Sequence, residues 1–136
     1  MPTKKVAVRG GLVAVAVGVT IAGTTTTASA NVNAPWIGYG YSTNTHAVWC
    51  VQHDINYFST HNAGSSAIPV ISEDGIWGPQ TYNAVRWYQN ERFGPSTVDG
   101  IVGPLTGGDL LVEGDPYYNG AWPANGYCST YLPTYS

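Results

Sequence analysis

Two octets of the sequence share one pattern, DGIWGPQT at residues 74–81 and DGIVGPLT at residues 99–106. In each octet Asp-Gly favours a tight turn, because Gly accepts positive φ and the Asp side chain can bond to nearby backbone N–H groups. The Gly-Pro pair then favours the start of a helix, since Pro fits the first helical position, where no N–H partner is needed. Each octet therefore predicts a corner that begins a helix.

The third and fourth positions of each octet are apolar. They are Ile76 and Trp77 in the first copy, and Ile101 and Val102 in the second. We expect both members of each pair to point inward. The duplication then makes sense as two equivalent corners of one small helical fold.

Two helices are predicted from apolar residues that recur three or four positions apart. One runs from residue 45 to about residue 59. The other runs from residue 79 to residue 93, where Gly94 followed by Pro95 predicts a stop. The two apolar stripes are Val48, Val51, Ile55 and Phe58 in the first helix, and Thr81, Ala84, Val85 and Tyr88 in the second.

A third, shorter helix is predicted from residue 104 to residue 112, with Leu105, Leu110 and Leu111 as its apolar residues. Gly107 and Gly108 weaken it, because Gly in a helix costs about 1 kcal/mol relative to Ala. No stretch shows a convincing strand alternation. The predicted fold class is therefore all-α.

Three segments, in this order, resemble the three-helix peptidoglycan-binding module found beside many bacterial cell-wall hydrolases: VWCVQHDINYF, DGIWGPQTYNAVRWYQNERFG and VDGIVGPLTGGDLL. The resemblance spans roughly residues 48–111. It implies a small helical bundle that binds the glycan or the stem peptide of peptidoglycan without catalysis. Two positions depart from the family, Gly107 where a large aromatic is frequent and Tyr88 where Phe is usual.

A sugar platform needs an exposed aromatic face with polar groups beside it. Trp87 is the strongest candidate because it lies off the apolar stripe of the second helix, although the N-terminal arm or the tail could instead cover it. Trp77 is favoured as a corner plug over a platform, and the turn role alone accounts for the two corner aspartates. The full set of candidate ligand-binding residues is Trp87, Asn83, Arg86, Gln89, Trp77, Asp74 and Asp99.

Residues 1–30 are typical of a secretory signal peptide. A basic start precedes the apolar run GGLVAVAVGVTIAG, and Ala28 and Ala30 occupy the small-residue positions before a cleavage site. That run is shorter than the roughly twenty residues that a membrane-spanning helix needs. We therefore expect a secreted bacterial protein, extracellular or associated with the cell wall, with no membrane contact after signal removal.

The excess of acidic over basic residues after residue 30 excludes one class of binding partner. After residue 30 the only Lys or Arg residues are Arg86 and Arg92, against eight Asp and Glu. Nucleic acid is therefore an unsuitable partner, because no basic patch is available for its phosphates. All five Trp and ten Tyr also lie after residue 30, which favours flat contacts with neutral polar ligands such as sugars or peptides. We expect a monomer with no cofactor.

Cys50 and Cys128 are the only two cysteines. In an oxidising compartment such a pair predicts one disulfide, which stabilises the fold by about 4 kcal/mol in the chain-entropy model. Residues 45–112 are then the binding domain, 31–44 an irregular arm and 113–136 an aromatic tail tied to the domain. We expect the flanks to wrap the bundle, with a separate aromatic surface for a partner as the alternative.

Enzymatic readings are weaker than the binding reading. Asp74 and Asp99, with Glu73 or Glu91 as substitutes, could be imagined as the paired carboxylates of a glycosidase, but a small bundle offers little cleft to raise a carboxyl pKa. The protein is therefore predicted not to be an enzyme. The remaining alternatives are a secreted protein-interaction or regulatory factor that reuses the fold, and a very small cell-wall hydrolase.

A zinc site on the first helix was the other enzymatic possibility, since His46, Cys50 and His53 follow one another at spacings of four and three. Zinc would need Cys50 as a free thiolate, and the predicted disulfide competes for the same sulfur. We therefore expect no metal.

Overall fold

The computed structural model describes residues 31–120 and 125–136. The predicted signal peptide and its cleavage site lie outside these residues. Within the described ranges the chain forms four α-helices and no strand, which confirms the all-α class. The helices are α1 (Thr45–His61), α2 (Pro79–Phe93), α3 (Pro104–Glu113) and α4 (Pro116–Asn119). None of the helices in this part of the chain is both long and apolar enough to span a membrane.

The first helix, α1, begins after Asn44 and buries the predicted stripe. The Asn44 side chain accepts hydrogen bonds from the backbone N–H groups of His46 and Ala47 at 3.0 and 3.2 Å, as expected for an N-cap. The helix continues to His61, two residues beyond the predicted end. Its four predicted stripe residues are all buried: Val48, Val51, Ile55 and Phe58.

The second helix, α2, has the predicted bounds and also buries its predicted stripe. Tyr88 is fully buried, and its hydroxyl donates to Oδ2 of Asp109 in α3 at 2.6 Å. The guanidinium of Arg92 reaches the same carboxylate at 2.7 Å. The hydroxyl of Tyr88 therefore joins α2 to α3, and a Phe at this position would lack this contact.

The prediction that both apolar residues of each octet point inward was wrong for the first member of each pair. Ile76 is 67% exposed and Ile101 is half-buried, whereas Val102 is fully buried and Trp77 packs against the core. The chain between turn and helix is not helical, so the two side chains of a pair need not share one face. In both pairs it is the second residue that packs into or against the core.

Both flanks pack onto the bundle. In the arm, Ile37 is fully buried and exchanges two backbone hydrogen bonds with Val102, at 3.0 and 2.9 Å. In the tail, Leu132 is fully buried and Pro133 lies against Gly107 of α3. The absent side chain of Gly107 leaves the space that the tail backbone occupies.

The predicted disulfide between Cys50 and Cys128 is confirmed, with both sulfurs buried. It joins α1 to the tail across 78 positions of sequence. The tail itself is more ordered than an irregular segment. It contains the single turn α4, for which the side chain of Asp115 accepts a cap bond from the N–H of Tyr117, and a 3₁₀ turn at Cys128–Thr130.

Candidate functional site

The first corner is held from inside by Gln52 of α1. Its Nε2 lies 3.0 Å from Oδ1 of Asp74 and 2.9 Å from Oγ1 of Thr81. The same nitrogen donates to the carbonyl of Ile76 at 3.1 Å, and the N–H of Gly75 donates to Oε1 of Gln52 at 2.8 Å. One buried amide therefore ties the turn, the apolar segment and the first turn of α2 to α1.

The second corner repeats this arrangement with Gln89 of α2. Its Nε2 reaches Oδ1 of Asp99 at 2.8 Å, the carbonyl of Ile101 at 2.9 Å and Oγ1 of Thr106 at 3.1 Å. Its Oε1 accepts from the N–H of Gly100 at 2.8 Å. The repeated octets are thus matched by a glutamine on the helix that precedes each of them.

The glycines of the two corners are also equivalent, both in conformation and in packing. Gly75 and Gly100 have φ of +69° and +74°, a region that favours glycine. A Cβ at Gly75 would collide with Thr45, and a Cβ at Gly100 would collide with the ring of Tyr82. Thr45 and Tyr82 each lie seven residues before the glutamine of their corner. The protein therefore contains two equivalent units, each made of a helix and the corner that packs on it.

Trp87 is half-buried on the outer side of α2. Its indole Nε1 donates to the carbonyl of Ser66 at 3.1 Å, and its ring lies 6.0 Å from that of Phe58, centroid to centroid. The segment after α1 covers one side of the indole, whereas the alternative considered from the sequence was a cover by the arm or the tail. The indole also packs against the core and lines two open grooves.

Two open grooves meet at this tryptophan. One, of about 300 Å³, runs between α2 and residues 68–71, and the other, of about 460 Å³, runs between α2 and residues 95–98. Asn83 lines both grooves and Arg86 lines the second. The guanidinium of Arg86 lies 5.6 Å from the ring centre of Tyr82. Three sequence candidates, Trp87, Asn83 and Arg86, thus share one surface, which we call the α2 face.

The other four candidates lie elsewhere. The prediction of Gln89 as a ligand contact is corrected by the structure, because the side chain is buried and its amide is taken up by the second corner. Asp74 and Asp99 are exposed, but Oδ1 of each is engaged in its own corner. Trp77 is half-buried beneath the arm, edge-on to Tyr39 at 6.3 Å between ring centres.

A further groove, of about 390 Å³, was not foreseen from the sequence. It lies between α1, the first corner and the tail, and we call it the aromatic groove. Trp49 and Tyr118 meet edge to face in its wall, with ring centres 5.0 Å apart. The groove is lined by Thr45, His46, Trp49, Glu73, Asp74, Gly75, Tyr118 and Tyr127.

His53 lies under Trp49, with the two rings stacked 4.7 Å apart. Its Nδ1 is 2.9 Å from Oε2 of Glu73 and its Nε2 is 3.0 Å from Oδ2 of Asp115. Burial lowers the pKa of His53, but the hydrogen bonds to these two carboxylates, together with the charge of Glu73, outweigh burial and hold the pKa above its usual value. The imidazole ring thereby bridges the segment before the first corner and the N-cap of α4.

Asp54, the next residue, is a buried carboxyl group. Its Oδ1 accepts from the N–H of Asp115 at 3.0 Å and from the amide of Asn119 at 3.1 Å, while its Oδ2 has no partner among the described residues. Burial raises the pKa of Asp54 to about 8, against the opposing effect of these hydrogen bonds. The fold therefore favours the protonated form of Asp54, and the hydrogen bonds of this side chain attach α4 to α1.

The zinc site considered from the sequence lacks its sulfur ligand, because Cys50 is bonded to Cys128. His46 Nδ1 lies 2.6 Å from the hydroxyl of Tyr127, and His53 is held by its two carboxylates. Over residues 31–120 and 125–136, no group of three or more His, Cys, Asp or Glu is arranged to hold a metal ion.

Residues 57–107 match the model of a family described as a putative peptidoglycan binding domain. The resemblance to this module is confirmed. No curated protein and no solved structure matches the chain significantly. The matched segment contains the end of α1, both corners, all of α2 and the first residues of α3.

The two surfaces differ in how much of each lies inside the matched segment. The α2 face lies wholly inside residues 57–107. The aromatic groove takes only the first corner from that segment, because Thr45, His46 and Trp49 precede it and Tyr118 and Tyr127 follow it. The groove is therefore built mostly by what this chain adds around the module.

Proposed function

We propose that this chain is a secreted, non-catalytic protein that binds bacterial peptidoglycan through the α2 face. The match of residues 57–107 to the peptidoglycan-binding family is the observation that carries the proposal. In this proposal residues 1–30 direct export, 45–112 form the binding domain, 31–44 form an arm, and 113–136 form a tail tied by the disulfide. The disulfide is consistent with an oxidising compartment outside the cytoplasm.

The shape and chemistry of the α2 face support a glycan ligand. A partly exposed indole offers a flat apolar surface, on which the C–H face of a sugar ring can pack. The amide of Asn83 can donate to and accept from sugar hydroxyl or acetamido groups, and the guanidinium of Arg86 supplies further donors. The two grooves that meet at Trp87 allow an extended strand to continue past the indole on both sides.

The proposal of a non-catalytic role is supported by how the candidate catalytic groups are engaged. The corner aspartates each use one carboxylate oxygen to hold their turn. His53 is held between two carboxylates, and Asp54 is buried beneath α4. Each of these groups therefore has a role in holding the fold that does not depend on catalysis.

Sedimentation with purified sacculi tests the proposal. Wild-type protein is expected to pellet with sacculi. Trp87→Ala is expected to weaken the apparent affinity for sacculi about tenfold, since loss of an aromatic anchor from a binding site commonly costs about 1–2 kcal/mol or more. Trp36→Ala removes an exposed tryptophan that lines neither groove of the α2 face, and it should bind like wild type.

The hydrogen bond from Trp87 to Ser66 means that Trp87→Ala also needs a folding check by circular dichroism. Asn83→Ala provides a second test at an exposed residue of the same face. Equal binding of both variants and wild type would refute the α2 face as the site. Failure of the wild type to bind, together with capture of a secreted protein, would favour the regulatory alternative, and a clearing zone on a cell-wall zymogram would favour the hydrolase.

A further inference from the structure

We propose that the aromatic groove is a second binding site, which takes an amino sugar through its free ammonium group. The site is distinct from the α2 face, and five of its eight lining residues lie outside the family match. The preference for a cation follows from the groove itself. The choice of a glycan as the carrier of that cation rests on the proposed function.

Asp74 supplies the negative charge. Its Oδ1 accepts from Gln52 and from the N–H of Ile76, while Oδ2 makes no hydrogen bond within the part of the chain that the structure describes. The bond from the Ile76 N–H, followed by that from Gln52, holds the pKa of Asp74 below its usual value, so the carboxylate stays ionised at neutral pH. The exposed Oδ2 is therefore available to an ammonium donor at the edge of the groove.

Aromatic rings supply the rest of the wall. Trp49 meets Tyr118 and Tyr127 edge to face, at 5.0 and 6.1 Å between ring centres, which sets the rings before any ligand arrives. Ring faces attract a cation within about 6 Å and also pack on the C–H face of a sugar. The groove volume of about 390 Å³ falls within the usual range for small-molecule sites.

No Lys or Arg of the described chain lines the groove. The only two such residues of the described chain, Arg86 and Arg92, lie on α2. Two histidines lie at the groove: His46 Nδ1 is 2.6 Å from the hydroxyl of Tyr127, and His53, beneath Trp49, is bonded to Glu73 and Asp115. The groove combines aromatic walls with two carboxylates, Asp74 and Glu73, of which Glu73 is paired with His53, and this combination favours a positive ligand.

A comparison of the two corners shows which residues only the first corner has beside it. Asp99 holds its turn as Asp74 does, but the helix positions three and six residues before the corner glutamine differ between the two units. In α1 these positions hold Trp49 and His46, whereas in α2 they hold Arg86 and Asn83. The cation-binding combination therefore belongs to the first corner alone, and the second corner provides a control within the same molecule.

A titration followed by ¹H–¹⁵N correlation spectra at pH 6 tests the inference with two probes of the same backbone. The chitosan trimer carries ammonium groups and the N-acetylglucosamine trimer carries none. We expect the chitosan trimer to shift the indole N–H of Trp49 and to bind about tenfold more tightly than the acetylated trimer at this groove. Added salt should weaken the first interaction and leave the second unchanged.

Two matched pairs of variants locate the effect. Asp74→Asn keeps an Oδ1 for the corner but removes the charge, and it should weaken binding of the chitosan trimer about fivefold. Asp99→Asn makes the same change in the second corner and should leave binding within twofold. Tyr127→Ala removes a groove wall and should weaken binding, whereas Tyr117→Ala, at an 82% exposed tyrosine outside the groove, should not.

Several outcomes overturn the inference. They are equal affinity for both trimers, equal weakening by Asp74→Asn and Asp99→Asn, no shift at the Trp49 indole, and tighter binding of a lysine-containing peptide than of the chitosan trimer. Sedimentation with sacculi separates this inference from the proposed function. Binding to sacculi without chitosan binding refutes only the groove, and chitosan binding without sacculi binding refutes only the α2-face proposal.

Discussion

Gln52 holds the first corner together, and Gln89 holds the second. Each is buried, and each bonds to a backbone N–H, a backbone carbonyl, an aspartate and a threonine of its corner. Asp-Gly turns could be predicted from local turn chemistry. The role of the glutamines could not, because a polar residue at the edge of an apolar stripe has the same local pattern whether it is exposed or buried.

Replacing Gln89 by Ala should lower the free energy of unfolding by about 3 kcal/mol, because several buried polar groups lose their partner at once. Urea denaturation monitored by tryptophan fluorescence measures the change. Gln80→Ala, at an exposed glutamine of the same helix, should change stability by less than about 0.5 kcal/mol. A small effect of Gln89→Ala would mean that water replaces the amide and that the corner does not depend on it.

At the scale of elements, the packing of the tail depends on a glycine of α3. The sequence predicted α3 to be short and weak because of its two central glycines. The structure shows that these glycines differ: a Cβ at Gly107 would collide with the backbone of Pro133, whereas a Cβ at Gly108 would meet nothing within 4 Å. Only the contact with the tail distinguishes them, and that contact is between segments far apart in sequence.

The two glycines therefore predict opposite effects of the same substitution. Gly108→Ala should raise the free energy of unfolding by about 1 kcal/mol through helix propensity. Gly107→Ala should lower it by about 2 kcal/mol, because the tail backbone must move away from α3. Thermal and urea denaturation of both variants measure the difference. If both variants were stabilised, the packing of the tail on α3 would be refuted.

At the scale of the whole molecule, α1, the segment before the first corner and α4 are joined by two titrating groups. The folded-state pKa of Asp54 is raised to about 8 and that of His53 is raised above its usual value. A group whose pKa is higher in the folded state stabilises the fold at low pH, and that stabilisation is lost as pH rises through the folded-state pKa. Both groups therefore act in the same direction.

We expect the free energy of unfolding to fall between pH 6 and pH 8.5, by about 2 kcal/mol from Asp54 alone, with a further loss from His53. Asp54→Asn imitates the neutral acid, so it should retain stability at pH 8.5 and lose most of this dependence. Urea denaturation at the two pH values measures the effect. Glu91→Gln, at an exposed carboxylate of α2, should keep the wild-type profile, and an unchanged profile in Asp54→Asn would exclude this carboxyl as the cause.

Local signals were sufficient for α1, α2, the all-α class, the two corners and the single disulfide. Three of these signals act over a short range of sequence: apolar periodicity, Pro at the first helical position and Gly at the helix end. The disulfide follows from the presence of only two cysteines and needs no geometry. The short-range signals also carried the resemblance to the peptidoglycan-binding module, and they placed Trp87, Asn83 and Arg86 on one helix. Those predictions needed no knowledge of which segments meet.

Tertiary packing alone decided the rest. The aromatic groove brings together residues 45–49 of α1, residues 73–75 of the first corner, and Tyr118 and Tyr127 of the tail. No periodicity links these segments; the disulfide and the docking of α4 on Asp54 bring the tail to α1. Packing likewise buried Gln89 and turned Ile76 outward. A side chain's availability to a ligand depends on what covers it, and that is settled by contacts between distant parts of the chain.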